Sequence, residues 1–211
     1  MSMASMAQLI TWLEYLGGVA FAVAGALVAI RKHMDIFGVV VLGLTTASAG
    51  GVLRDLILGI TPPAMFRNPT YALIAMATAV LMFLKPVRKA LRPESPTFDL
   101  ALFFADTLGL AIFTVVGVRT AIAAYPSGGL FLQVFIGVVS AVGGGVLRDM
   151  MAGIPPHIFT KHVYATSCVA GTLVCGLLWR FSPVWAMAVG FALVVVIRCL
   201  ASYFRWNLPQ S

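Results

Sequence analysis

Two short stretches of this sequence place an arginine and an aspartate side by side just after a run of glycine. They are Gly50-Gly51-Val52-Leu53-Arg54-Asp55 and Gly143-Gly144-Gly145-Val146-Leu147-Arg148-Asp149. Glycine inside a helix costs about 1 kcal/mol relative to alanine. Gly50 and Gly51, and again Gly143, Gly144 and Gly145, concentrate that cost at one point, which predicts a kink or local unwinding there. Backbone freed at membrane depth must line a wet cavity or be covered by protein, and its carbonyls could then coordinate a cation and its amides an anion. Arg54 lies four and three residues beyond Gly50 and Gly51 and so shares their helix face, as Arg148 shares that of Gly144 and Gly145. Adjacent helical residues point about 100° apart. Asp55 and Asp149 therefore make poor partners for their own neighbours, and each arginine is expected to find a carboxylate on another helix, with pairing between the two stretches as one arrangement. Two plainer roles compete: the charges could be interfacial anchors that snorkel to water, and the glycines could simply permit close helix packing.

Asp106 is a further candidate, because it sits about eight residues inside an apolar run and an acid at that depth marks a functional site by default. It could attract a cation, couple a proton, or pair with Arg54 or Arg148. Glu14 is shallower and reads as interfacial. His157 and His162 follow Pro155-Pro156 at a spacing that fits no common zinc pattern, so both are expected to be solvated and no metal site is predicted. No phosphate loop, nucleophile elbow or zinc-protease signature is present, so the sequence offers no basis for an enzyme and implies no cofactor.

The elements that must carry these residues follow from composition. Of 211 residues 61% are hydrophobic and 10% charged, against about 25% charged in soluble domains. Apolar runs near 9–30, 36–60, 69–84, 99–118, 129–153, 163–180 and 183–204 predict an all-α membrane protein with seven transmembrane helices. The first run has no preceding Lys or Arg and reads as a retained helix, not a signal peptide. Net charge is +7, but Lys and Arg cluster in short segments between apolar runs, which suits an anionic membrane face and not nucleic acid. Cys168, Cys175 and Cys199 lie inside apolar runs and read as small fillers. With the N-terminus outside, the inner segments collect Arg31, Lys32, Lys85, Arg88, Lys89, Arg92, Lys161, Arg198 and Arg205, and the outer ones only Arg67, Arg119 and Arg180. The positive-inside rule then predicts N-out, C-in.

The two glycine stretches belong to a longer self-similarity. Asp149 lies 94 residues after Asp55, and the match continues through Gly59-Ile-Thr-Pro-Pro-Ala-Met-Phe66 against Gly153-Ile-Pro-Pro-His-Ile-Phe159. Upstream, Glu14-Tyr-Leu-Gly17 corresponds to Asp106-Thr-Leu-Gly109, and Phe21 and Gly25 to Phe113 and Gly117. The reading is one membrane domain of two three-helix units, about 9–84 and 99–180, joined by a basic linker at 85–98 and followed by a seventh helix at 183–204. Three spans per unit make this an inverted repeat, whose site is expected at the interface of spans two and five.

At these residues the sequence resembles the bacterial membrane family with paired glycine-transporter domains (UPF0126-type), which includes the prokaryotic TRIC, or trimeric intracellular cation, channels. The match lies in Asp35-Ile-Phe-Gly38, Ala49-Gly-Gly-Val-Leu-Arg-Asp55, Gly59-Ile-Thr-Pro-Pro63, Gly143-Gly-Gly-Val-Leu-Arg-Asp149 and Ile154-Pro-Pro156, over about 170 residues. The resemblance implies a seven-helix protomer in a prokaryotic inner membrane, assembled as a homotrimer with a pore in every subunit. That pore would pass monovalent cations, potassium above all and sodium as a second candidate, between the second and fifth helices. It assigns Gly50, Gly51, Gly143, Gly144 and Gly145 to the kinks and sets Arg54, Asp55, Arg148 and Asp149 beside the pathway. The second half has Ser127-Gly-Gly-Leu130 where the first has Asp35-Ile-Phe-Gly38, so any role of that acid is unduplicated. Some relatives are described as carriers of glycine or similar solutes, which makes a secondary transporter the alternative. Anionic lipids at the basic face complete the expected partners.

Overall fold

The computed structural model of the chain describes residues 3–160 and 163–206, the side chains of 3–7 and 160 excepted; His162 lies outside the described residues. These residues form ten helices: α1 (Met3–Arg31), α2 (Ile36–Ile57), α3 (Ala64–Arg67), α4 (Pro69–Phe83), α5 (Lys85–Ala90), α6 (Pro96–Ala124), α7 (Leu130–Met151), α8 (His157–Thr160), α9 (Tyr164–Leu178) and α10 (Pro183–Tyr203). Five are long and apolar enough to cross a membrane: α2, α6, α7, α10 and, from Gln8, α1. At 15 residues each, α4 and α9 are apolar but shorter; such helices run roughly 22 Å at about 1.5 Å per residue.

Local chemistry sets these limits. Asp35 caps α2 by accepting from the Gly38 amide at 2.8 Å, Asn68 caps α4 through the Thr70 amide, and Ser95 caps α6 through the Phe98 amide. Pro69, Pro96 and Pro183 open their helices, where a missing N–H costs nothing. The fourth long run therefore begins at Pro96, three residues before the expected 99, and the basic linker contains the short helix α5. Gly59 and Gly153 end α2 and α7 at φ of 69° and 64°, a backbone conformation that side chains disfavour.

In the packed bundle α1 lies against α2, α4 and α6, α7 against α2, α6 and α9, and α10 against α6 and α9. The most enclosed long helix is α6 and the least is α10. Phe21 of α1 stacks on Phe113 of α6 at 5.4 Å between ring centroids, so two residues at matching places in the repeat meet each other.

The expected unwinding at the glycines is not what the chain does. Both α2 and α7 run as continuous α-helix across Gly50-Gly51 and Gly143-Gly144-Gly145. The glycines serve close approach. A Cβ on Gly50 would land on the Ser140 carbonyl oxygen of α7, and one on Gly144 would land on the Thr46 carbonyl oxygen of α2. Packing two backbones this closely needs small residues on both helices. Gly43 of α2 likewise presses on Ala79 of α4, and Gly137 of α7 on Thr172 of α9.

Candidate functional site

Gly50 against Ser140 and Thr46 against Gly144 mean that α2 and α7 run antiparallel at their contact. Arg54 continues past the contact in one direction and Arg148 in the other. At about 1.5 Å per residue the two arginines sit on the order of 18 Å apart along the helices. They therefore do not pair with each other; each organises its own cluster.

In the first cluster Arg54 Nε donates to Asp55 Oδ1 at 2.8 Å, and Nη1 reaches Glu14 Oε1 at 3.2 Å. The second carboxylate oxygen of Asp55 accepts from the Ala64 amide at 2.8 Å, tying the end of α2 to α3. The second cluster repeats this pattern: Arg148 Nε donates to Asp149 Oδ1 at 2.9 Å, Nη1 to Asp106 Oδ1 at 2.8 Å, and Asp149 Oδ2 accepts from the His157 amide at 2.9 Å. The expectation that neighbouring arginine and aspartate would point apart is thus half wrong. The long arginine side chain curls so that Nε meets the adjacent carboxylate while its terminal nitrogens reach the acid of another helix. None of the four motif charges is a snorkelling anchor: Arg54, Asp55, Arg148 and Asp149 are all buried.

Beyond this shared pattern the clusters diverge. Glu14 is partly exposed, its side chain at 27%, and a cavity of about 170 Å³ opens beside it. Gly51, Ser48, Tyr15, Tyr71 and Asn68 line that cavity with Glu14, Arg54 and Asp55. Tyr71 donates to the Ala47 carbonyl. At the other end, Asp106 is buried and takes three donors: Arg148, the Tyr164 hydroxyl at 3.2 Å, and Arg198 Nη2 at 3.1 Å on its second oxygen. Arg198 also donates from Nε to Thr107 Oγ1 at 2.9 Å and lies over the Tyr164 ring at 4.7 Å. Gly145 leaves room for the Tyr164 hydroxyl, and Gly143 packs on Leu53 and Gly50. With histidine neutral, the first cluster carries one cation and two carboxylates, the second two of each.

Arg198 and His157 enter this site against expectation. Arg198 counted only as an inner basic charge, yet it is 7% exposed. The available signal was its position inside Val194-Val195-Val196-Ile197-Arg198-Cys199-Leu200, where a lone charge in an apolar run calls for a buried partner. His157 is only partly solvated: its Nδ1 stands 3.3 Å from Arg148 Nη2 and its ring packs beside Tyr164. Glu14, taken as interfacial, is the acid that Arg54 reaches. Among the described residues no group of three or more metal-binding side chains occurs.

A family model described as Glycine transporter matches residues 11–86 and again 103–180. The chain belongs to the UPF0126 family. It is 38% identical to a UPF0126 membrane protein of Deinococcus radiodurans over 97% of this chain and 93% of that one. It is 36% identical to the UPF0126 inner membrane protein YadS of Escherichia coli K12, over 95% and 94%. Among solved structures, this UPF0126 chain superimposes on a TRIC cation channel with a TM-score of 0.82 at 34% identity, covering 95% of this chain and 96% of the other. It matches the TRIC channel orthologue from Rhodobacter sphaeroides with a TM-score of 0.85 at 34% identity, over 94% and 99%. The UPF0126 chain is accordingly an all-helical membrane protein with the TRIC channel fold.

Proposed function

We propose that this protein is a cation channel that passes monovalent ions, potassium first and sodium second, through a separate pathway in each protomer of a homotrimer. The observation that carries the reading is the near full-length superposition on TRIC cation channels at 34% identity. In this reading α4 and α9 join the five long helices to give seven spans. Units of about 9–84 and 99–180 lie in opposite orientation, joined by the basic linker at 85–98 and followed by α10, with the N-terminus outside and the C-terminus in the cytoplasm of a prokaryotic cell.

The pathway begins in the cavity beside Glu14, Arg54 and Asp55, passes Gly51 and the contact of α2 with α7 at Gly50, Gly143 and Gly144, and ends at Gly145, Arg148, Asp149 and Asp106. Bare arginines would oppose this: two unit charges 4 Å apart repel by about 4 kcal/mol at an effective dielectric near 20. Both are compensated, and the surplus carboxylate of the first cluster favours a cation at the entrance. In this reading the backbone contact of α2 with α7 and the neutral second cluster belong to a closed conformation, and opening separates those helices and loosens Arg148 from Asp106. Purified protein in a planar bilayer should give discrete potassium currents. Absence of unitary currents, with saturable uptake in vesicles, would replace the channel by a carrier of a small solute, the reading that the family model's description favours. Orientation is checked with a cysteine at Arg92, which should be labelled from the cytoplasmic side alone.

A further inference from the structure

A second cavity, of about 580 Å³, lies away from both charge clusters, between the turn that joins α1 to α2 and the linker that carries α5. Its rim holds His33, Lys85, Arg88, Lys89 and Arg92, and its inner wall holds Ile30, Met34 and Phe83. Lys85, Arg88, Lys89 and Arg92 are exposed, and among the described residues none has a carboxylate partner. Of the acids on the turn and the linker side, Asp99 is taken by Arg31, which also donates to the Pro93 carbonyl, Asp35 caps α2 through the Gly38 amide, and Glu94 forms no ion pair with a rim residue among the described residues. These bonds hold the turn and the linker together as the two sides of one pocket. The Arg88 guanidinium is set over the Phe83 ring at 4.8 Å.

Four cations without an ion-pair partner around one cavity repel one another, and an anion that joins them lowers that cost. Orienting the protein in the membrane by the positive-inside rule needs only a count of charges on one side. It does not need them to converge on a concave site with an apolar back wall. Nor does the internal repeat call for it, because the matching turn between α9 and α10 carries a single cation, Arg180. Planar guanidinium forks and lysine point charges together suit phosphate oxygens, and the wall of Ile30, Met34 and Phe83 suits the start of an acyl chain.

We infer that this pocket binds a phosphate-bearing anion, supplied by an acidic phospholipid headgroup or as free phosphate. The inference stands apart from the channel reading, since it concerns binding alone. The test follows thermal unfolding of the full-length protein in neutral detergent at matched ionic strength. Dioctanoyl phosphatidylglycerol, dioctanoyl phosphatidylcholine and inorganic phosphate are titrated separately, with chloride as the reference. Wild type is compared with Arg88→Gln/Lys89→Gln/Arg92→Gln and with a control that loses the same charge elsewhere, Arg119→Gln/Arg180→Gln/Arg205→Gln. Phosphatidylglycerol should stabilise wild type and the control, and the pocket variant should bind it roughly a hundredfold more weakly, at about a tenfold loss for every one or two basic groups removed. Stabilisation by phosphate as well identifies the phosphate group as the whole determinant, whereas stabilisation by phosphatidylglycerol alone identifies a lipid site; both support the proposal. It is overturned if wild type responds equally to the two lipids and not to phosphate, or if the pocket and control variants lose binding to the same extent.

Discussion

The two halves of the molecule build the same ion-pair scaffold and finish it differently. In each, an arginine four residues past the helix contact bonds its neighbouring aspartate and an acid from the first helix of its own half, and the aspartate holds the short helix that follows. The first half leaves Glu14 partly open to a cavity. The second half encloses Asp106 and adds Arg198 from α10, a helix outside the repeat. One duplicated motif is thus left acid-rich and open to a cavity on one side and is buried and charge-balanced on the other, and the difference comes from residues that the motif does not contain; under the channel reading the first is an entrance and the second a plug.

The largest test of this contrast is removal of the acid from each cluster. Asp106→Asn takes a carboxylate from two buried arginines, leaving Arg148 with Asp149 and Arg198 with Thr107 alone, and is expected to destabilise the protein by about 3–5 kcal/mol, whereas Glu14→Gln, at a partly exposed site, should cost about 1 kcal/mol or less. Denaturant or thermal unfolding in detergent measures both, and equal losses would erase the distinction between sealed and open clusters.

Next in size are the glycines. Alanine at Gly50 or Gly144 meets a backbone carbonyl of the facing helix, so each should lose about 1–3 kcal/mol. Gly51→Ala should be milder, because the nearest atom to its Cβ is Arg54 Nη2 at 3.9 Å. Similar melting temperatures for all three variants would mean that the α2–α7 contact is not tight.

Arg198→Gln turns the second cluster into a charge match for the first, two carboxylates with one arginine. Under the channel reading it should raise open probability in bilayer recordings, by about tenfold for each 1.4 kcal/mol by which the closed state is weakened. Unchanged gating in a folded variant would take Arg198 out of the plug.

The smallest expected contrast is between the paired tyrosines. Tyr164→Phe removes a hydrogen bond to a buried carboxylate and should cost about 1.5–3 kcal/mol, while Tyr71→Phe removes one to the Ala47 carbonyl and should cost about 1 kcal/mol. Reversal of that order in unfolding experiments would indicate that Asp106 does not depend on Tyr164.

Apolar periodicity, turn residues and the doubled motif were enough to read the helical membrane class, the placement of the long helices and the presence of Arg54, Asp55, Asp106, Arg148 and Asp149 as charges set in apolar helices, because these depend on residue type and on spacing within one segment. The role of the glycines could not be read the same way. A glycine that bends a helix and one that admits a neighbour have the same local cost, and only the position of the Ser140 and Thr46 carbonyls separates them. Partner choice was equally out of reach: Arg198 meets Asp106 across 92 residues of chain, and His157 enters the second cluster because Asp149 caps its helix. Sequence by itself determined which charges stand inside apolar runs and so need partners, since hydrocarbon offers them no solvent. Tertiary structure alone decided which of them meet, since a pairing between helices depends on how the whole bundle closes.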